Sequence, residues 1–175
     1  MHPTATLAIA STWEGGPAAP GELATLVLVA RDDGLHLSFD APLHDDPPPA
    51  APPGALWGLW EHEVVELFVL GAGDRYTEIE LGPHGHHLLL RLDGRRNVVE
   101  RLLPVEARWS RGEGRWRVEC VLPEAVLPPR PRRFNAYAIH GIGAARRYLA
   151  WSPVPGDQPD FHRLECFREV PEIDP

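Results

Sequence analysis

The chain contains no lysine; its 17 basic residues are all arginine, and 25 acidic residues leave a formal net charge of -8. Nonspecific binding to nucleic acid needs phosphate-neutralising patches. An acidic chain with one basic cluster, "PPRPRR" at 128 to 133, does not supply them, and that cluster reads as a solvated loop. Cysteine is nearly absent. Cys120 and Cys166 are too few and too far apart for a disulfide framework or a zinc knuckle, so both are expected as buried free thiols. The sole methionine is Met1. No apolar run approaches the ~18 residues needed to cross a membrane. "MHPTATLAIASTWEGG" has neither a basic start nor a long apolar stretch, so a secretory signal is not expected and a cytoplasmic location is. Several motifs are missing as well. There is no G-x-S-x-G elbow, no Cys-His signature, no H-E-x-x-H and no glycine-rich phosphate loop, since "GAG" at 71 to 73 suits a hairpin turn.

Proline is abundant, at 20 of 175 residues. It clusters in "APLHDDPPPAAPPG" (41 to 54), "LPEAVLPPRPRR" (122 to 133) and "SPVPGDQPD" (152 to 160). Proline lacks a backbone donor and ends helices, so these are loops or extended connections. Between them lie short segments with the spacing of an all-β sandwich or barrel, in one domain spanning residues 1 to 175. "ELATLVLVARDDGLHLSFDAP" (22 to 42) reads as a hairpin about Asp32-Asp33-Gly34. In "RYTEIELGPHGHHLLLRLDG" (75 to 94), Thr77, Ile79 and Leu81 alternate with Tyr76, Glu78 and Glu80 before a turn at Gly82-Pro83. "GRWRVECVLP" (114 to 123) sets Trp116, Val118, Cys120 and Leu122 against Arg115, Arg117 and Glu119. "RFNAYAIHG" (133 to 141) is a further strand, and "DFHRLECFREV" (160 to 170) is expected to be the last.

"LWGLWEHEVVELF" (56 to 68) is ambiguous by periodicity. Leu56, Leu59, Trp60, Val64, Leu67 and Phe68 fit a helical stripe, whereas Val64, Glu66, Phe68 and Leu70 fit one side of a strand. Four motifs, "LWEHEVVELF", "RYTEIELGPHG", "FNAYAIHG" and "PDFHRLECF", occur in that order over about residues 30 to 170. Together they resemble an uncharacterised family shared by bacteria and animals. That family in turn resembles the DOMON-like β-sandwich of family 9 carbohydrate-binding modules. The resemblance implies an antiparallel two-sheet β-sandwich in which "EVVELFVL" is a strand and a hydrophobic-Glu-hydrophobic-Phe strand lies in a ligand-facing sheet. DOMON-like domains that bind haem use Met and His, which a chain with Met1 alone does not match.

These strands point to a ligand site built from Trp60, Glu66, Tyr76, Glu78, Asn135, His140 and His162. Carboxylates and amides hold hydroxyl pairs, and aromatic faces stack on C–H surfaces. The expected ligand is a saccharide or similar small polar molecule, with no cofactor. Glu66, flanked by Val and Phe, needs a pocket or a partner such as Arg, His, Tyr or Trp. The competing reading for Glu78 and Glu80 is an exposed sheet face, paired across strands with Arg91 or Arg117. Asp160 orients His162 only if the chain folds back. His84, His86 and His87 read as a polar turn, without a tight zinc site. Two further functional readings stand beside the binding module: a small acid–base enzyme (isomerase, lyase or hydrolase), and a protein-interaction domain whose Trp residues form an interface. The oligomeric state is left open.

Overall fold

The structure is a computed structural model describing residues 2–174. Thirteen strands run in chain order as β1 (Thr4–Ile9), β2 (Ser11–Thr12), β3 (Ala24–Arg31), β4 (Gly34–Pro42), β5 (Gly54–Ala55), β6 (Val64–Leu70), β7 (Arg75–Leu81), β8 (His86–Asp93), β9 (Val98–Glu100), β10 (Ala107–Gly112), β11 (Arg115–Pro123), β12 (Arg133–His140) and β13 (Arg147–Ala150). They form two sheets. The smaller is ordered β1-β3-β4-β11-β10, the larger β2-β13-β12-β6-β7-β8-β5, with β9 on β8. Every pairing is antiparallel except the two-residue β5 against β8. Helix among the described residues is confined to single 3-10 turns, and none is long and apolar enough to cross a membrane.

Period-two alternation builds the space between the sheets. Leu26, Leu28, Leu37, Phe39, Trp116, Val118 and Leu122 face inward from the smaller sheet. They meet Val65, Leu67, Val69, Ile79, Leu81, Phe134 and Ala136 from the larger one. A second apolar cluster lies on the outer side of the larger sheet, with Val64, Phe68, Leu70, Tyr76, Leu90, Leu92, Tyr137 and Ile139 beneath Phe161, Leu164 and Phe167. Strands β6 and β7 are therefore covered on both faces, and all seven residues of β6 are buried. The ambiguous stretch divides: Leu59–Glu61 is a 3-10 turn, and the strand starts at Val64.

Three expectations are corrected. Residues 160 to 170 are not a strand; they hold a 3-10 turn at Leu164–Cys166 and touch a sheet only through the isolated bridge Phe134–Arg168. Phe161, Leu164 and Phe167 recur every third residue, so a turning segment, rather than a strand of period two, sets all three onto the larger sheet. Arg132 of the "PPRPRR" cluster is buried rather than solvated. It donates to Pro128 O at 2.7 Å and pairs with Glu124, while Arg130 pairs with Asp174. Glu78 and Glu80 are not on an exposed face; Arg91 pairs with Glu100 and Arg117 with Asp40 instead. Strands β1, β10 and β13 lie outside the segments read from sequence. Both cysteines are free, Cys120 buried and Cys166 half-buried.

Candidate functional site

Between the outer face of the larger sheet and the segments that cross it lies a cavity of about 590 Å³. Its floor is built by adjacent strands: Glu66 and Phe68 of β6, Glu78 of β7, Leu90 and Leu92 of β8, and Ile139 of β12. Trp57, Trp60 and Glu61 form one wall, directly before β6. Ile142, Arg146 and Tyr148 come from the β12–β13 connection and β13, Arg96 from the turn after β8, Val98 from the start of β9, and Asp160, Phe161 and His162 from the C-terminal segment. Trp57 and Trp60 meet edge-to-face at 5.1 Å between ring centroids, and Arg101 lies over the Trp57 ring at 5.6 Å. Trp57 remains 47% exposed at the rim.

The floor carries an unusual charge problem. Glu66 faces Glu80 directly across the β6–β7 ladder, while Glu78 faces Phe68, which places Glu66 and Glu78 diagonally on the same side of the sheet. The three glutamates are 1%, 4% and 0% exposed for Glu66, Glu78 and Glu80. Glu66 Oε2, Glu78 Oε2 and both oxygens of Glu80 have no hydrogen-bond partner among the described residues. Burial disfavours the ionised form, so all three carboxyls are pushed up. Burial raises Glu78 to about 7, against the opposing pull of its Glu80 contact and of Arg96. Burial and then the charge of Glu78 raise Glu66 well above the usual range, with Arg146 pulling the other way. Burial and the charges of Glu66 and Glu78 raise Glu80 likewise. Glu66 thus faces a cavity, but the hydrogen-bonding partner expected for it is not there.

Beside the carboxyls is a fixed proton donor. The Arg96 backbone N–H donates to Tyr76 Oη at 2.9 Å, and Tyr76 Oη is hydrogen-bonded to His162 Nδ1 at 2.7 Å, the hydroxyl donating in the tautomer that carries the imidazole proton on Nε2. Burial holds His162 down at about 4, with Arg96 adding to the effect, so the ring is neutral at physiological pH. Burial pushes the Tyr76 hydroxyl up to about 12, which keeps it a donor. The chain does fold back at Asp160, whose Oδ1 accepts the His162 backbone N–H at 3.0 Å. Asp160 also pairs with Arg96 at 2.7 Å and with Arg95, and these contacts outweigh its burial and hold its carboxyl low. Arg96 has a left-handed φ of 59°, uncommon away from glycine, and the Tyr76 and Asp160 contacts hold it there.

Of the residues expected at the site, Trp60, Glu66, Glu78 and His162 line the cavity, and Tyr76 lies behind His162. Asn135 and His140 are elsewhere. Asn135 is fully buried and ties β12 to the chain after β13, donating to Ser152 O at 2.8 Å and accepting from Ser152 N at 3.0 Å. His140 bonds Glu22 at 3.0 Å and stacks on His44 with centroids 3.5 Å apart. Glu22 also binds Arg147, which, as the largest influence, lowers its carboxyl to about 2. Glu63 accepts the backbone N–H groups of His44 and Asp46 and pins the proline-rich loop. His86 bonds Ala51 O and His84 bonds Arg111, and no group of three potential ligands among the described residues is arranged for a metal ion. Arg96, Arg146, Tyr148 and Phe161 were not foreseen. Their one local signal is position beside glycine-bearing turns at strand ends, where loops carry functional groups.

No family model matches the chain. A human protein, UPF0462 protein C4orf33, is 43% identical over 169 residues, covering 91% of this chain and 84% of its own. The zebrafish homologue is 43% identical over 147 residues, covering 79% and 75%. The chain belongs to the UPF0462 family. Among solved structures, a candidate carbohydrate-binding protein from Bacteroides uniformis superposes on this UPF0462 chain with a TM-score of 0.71 at 20% identity, covering 94% of this chain and 84% of that one. A family 9 carbohydrate-binding module from Caldicellulosiruptor kristjanssonii, in complex with cellotriose, gives a TM-score of 0.53 at 14% identity, covering 77% and 68%. At these identities the likeness establishes a shared carbohydrate-binding-module-like β-sandwich.

Proposed function

We propose that this protein binds a saccharide or similar polyol in the cavity on the outer face of its larger sheet. The observation that carries the reading is the pair of buried carboxyls, Glu66 and Glu78, that line the floor of an aromatic-walled cavity and form no ion pair with a described residue. A buried polar group without a partner costs about 1–3 kcal/mol, so such groups are retained where a ligand completes them. Hydroxyls of a polyol meet both needs of the floor, donating to a carboxylate or accepting from a carboxylic acid. His162 Nε2–H adds a donor on one side, and Trp57, Trp60 and Tyr148 offer faces for sugar C–H surfaces. The cellotriose held by the family 9 module supports the same ligand class here.

The test is a thermal-shift screen of mono- and oligosaccharides, followed by calorimetry and tryptophan fluorescence. A ligand at about 100 times its dissociation constant should stabilise the fold by about 2.7 kcal/mol, and Trp60→Ala should abolish the shift. No shift across the panel, or a shift that Trp60→Ala leaves intact, overturns the reading. A second reading, acid–base catalysis by an isomerase, lyase or hydrolase, draws on the place of Glu78 on the cavity floor, where burial raises its carboxyl to about 7. Turnover of a binding sugar that Glu78→Gln abolishes would establish it, and unchanged sugar after prolonged incubation would exclude it for that sugar.

A further inference from the structure

The glutamate floor narrows the ligand further, on the assumption that the cavity is the binding site just proposed. We infer that the ligand carries an ammonium group, as in an amino sugar with a free amine, and that Glu66, Glu78 and Glu80 supply its counter-charge. Three carboxyls are packed together on one sheet face, and none forms an ion pair with any described residue. The arginines nearest them are spent elsewhere. Arg96 is held by Asp160, and Arg146 donates to the carbonyls of Gly141 at 3.0 Å, Trp60 at 2.5 Å and His62 at 3.4 Å. What the floor lacks is a cation.

An inorganic cation does not fit, because no group of three His, Cys, Asp or Glu among the described residues has metal-binding geometry. An ammonium does fit. It brings three N–H donors, and the carboxyls of Glu66 and Glu78 line the floor as its acceptors, with the sealed Glu80 carboxyl behind them. Of the aromatic walls, Trp57 and Tyr148 already carry Arg101 and Arg146, and the Trp60 ring is left to favour a ligand cation. A neutral sugar would bind without needing the charge of the floor, and so would not explain why three carboxyls are gathered there.

The experiment compares matched sugars that differ at one group: glucose, galactose and mannose against their 2-amino-2-deoxy counterparts and the N-acetylated forms, by calorimetry at about pH 7, where the amine is mostly protonated. The amine of a pair is expected to bind at least about tenfold more tightly than its hydroxyl and N-acetyl partners. In Glu66→Gln and Glu78→Gln, each first shown by melting to be folded, that ratio should fall toward unity whatever the absolute affinities. Equal binding of amine and hydroxyl forms, or an unchanged ratio in both variants, overturns the ammonium assignment and leaves saccharide binding standing. Binding by none of the nine sugars, with no response in the wider saccharide screen, removes the binding reading itself and this inference with it.

Discussion

Strands β11 and β7 carry nearly the same kind of pattern and put it to opposite use. In β11, Arg115, Arg117 and Glu119 alternate with Trp116, Val118 and Cys120, and the charged side faces water. Arg115 and Arg117 share Asp40 of the neighbouring strand, as expected for an open sheet face. In β7, Tyr76, Glu78 and Glu80 alternate with Thr77, Ile79 and Leu81, yet all six are buried. The difference is a roof. Phe161, Leu164 and Phe167, far along the chain, lie over the larger sheet, and nothing comparable covers β11. A charge on the open face is solvated and worth little. The same charge under the roof loses its water, shifts its protonation and seeks a partner.

The largest expected effect that could break this comparison is Phe68→Ala. Phe68 sits under the roof, against Tyr76, Tyr137, His162 and Phe167. Its loss should cost about 3–5 kcal/mol by chemical denaturation. A cost under about 1 kcal/mol would mean that the outer side of the larger sheet is not a second core.

Next comes pH. The folded value of Glu78 is raised from 4.5 to about 7, so the native state keeps a proton that the unfolded chain releases earlier. The contribution of Glu78 to stability should therefore fall as pH rises from the unfolded value through about 7, and then level off. Glu66 and Glu80 act in the same direction. The drop should be on the order of 3 kcal/mol, measured as denaturation midpoint against pH. Glu78→Gln should shrink the drop to the part that Glu66 and Glu80 contribute; an unchanged slope would assign it to other groups.

Tyr76→Phe should cost about 2 kcal/mol, because it leaves the Arg96 N–H and His162 Nδ1 without their shared partner. If the imidazole carbon and nitrogen shifts of His162 do not change in that variant, the tautomer assignment is wrong. On the open sheet, Arg117→Ala should leave stability nearly unchanged, with any difference vanishing in high salt. A larger, salt-insensitive loss would put β11 in the same class as β7. The smallest effect is expected from chelation. Treating the protein with EDTA should leave its melting temperature unchanged, whereas a fall of many degrees restored by zinc would reveal a structural metal at the histidine turn or elsewhere.

Local chemistry made the sandwich legible. Proline placement set the breaks, Asp32-Asp33-Gly34 and Gly82-Pro83 set two turns, and alternation in residues 114 to 123 separated interior from solvent. These features depend only on near neighbours and on the two-residue period of a strand. Glu66 stood out for the same reason, as a carboxylate between valine and phenylalanine. Alternation in β7 says that Glu78 and Glu80 share a side of the sheet; it cannot say whether that side meets water. That was decided by distant segments, the turn at Leu59–Glu61 against Glu80 and the fold-back of residues 160 to 167 on the Glu78 side, whose period of three hid their role as cover. Asn135 and His140 show the same division. Their motif placed them correctly on β12, while long-range contacts with Ser152, Glu22 and His44 decided that they serve the framework. Sequence determines the face a side chain occupies through local backbone geometry, and tertiary structure decides what covers that face, because burial depends on segments distant along the chain.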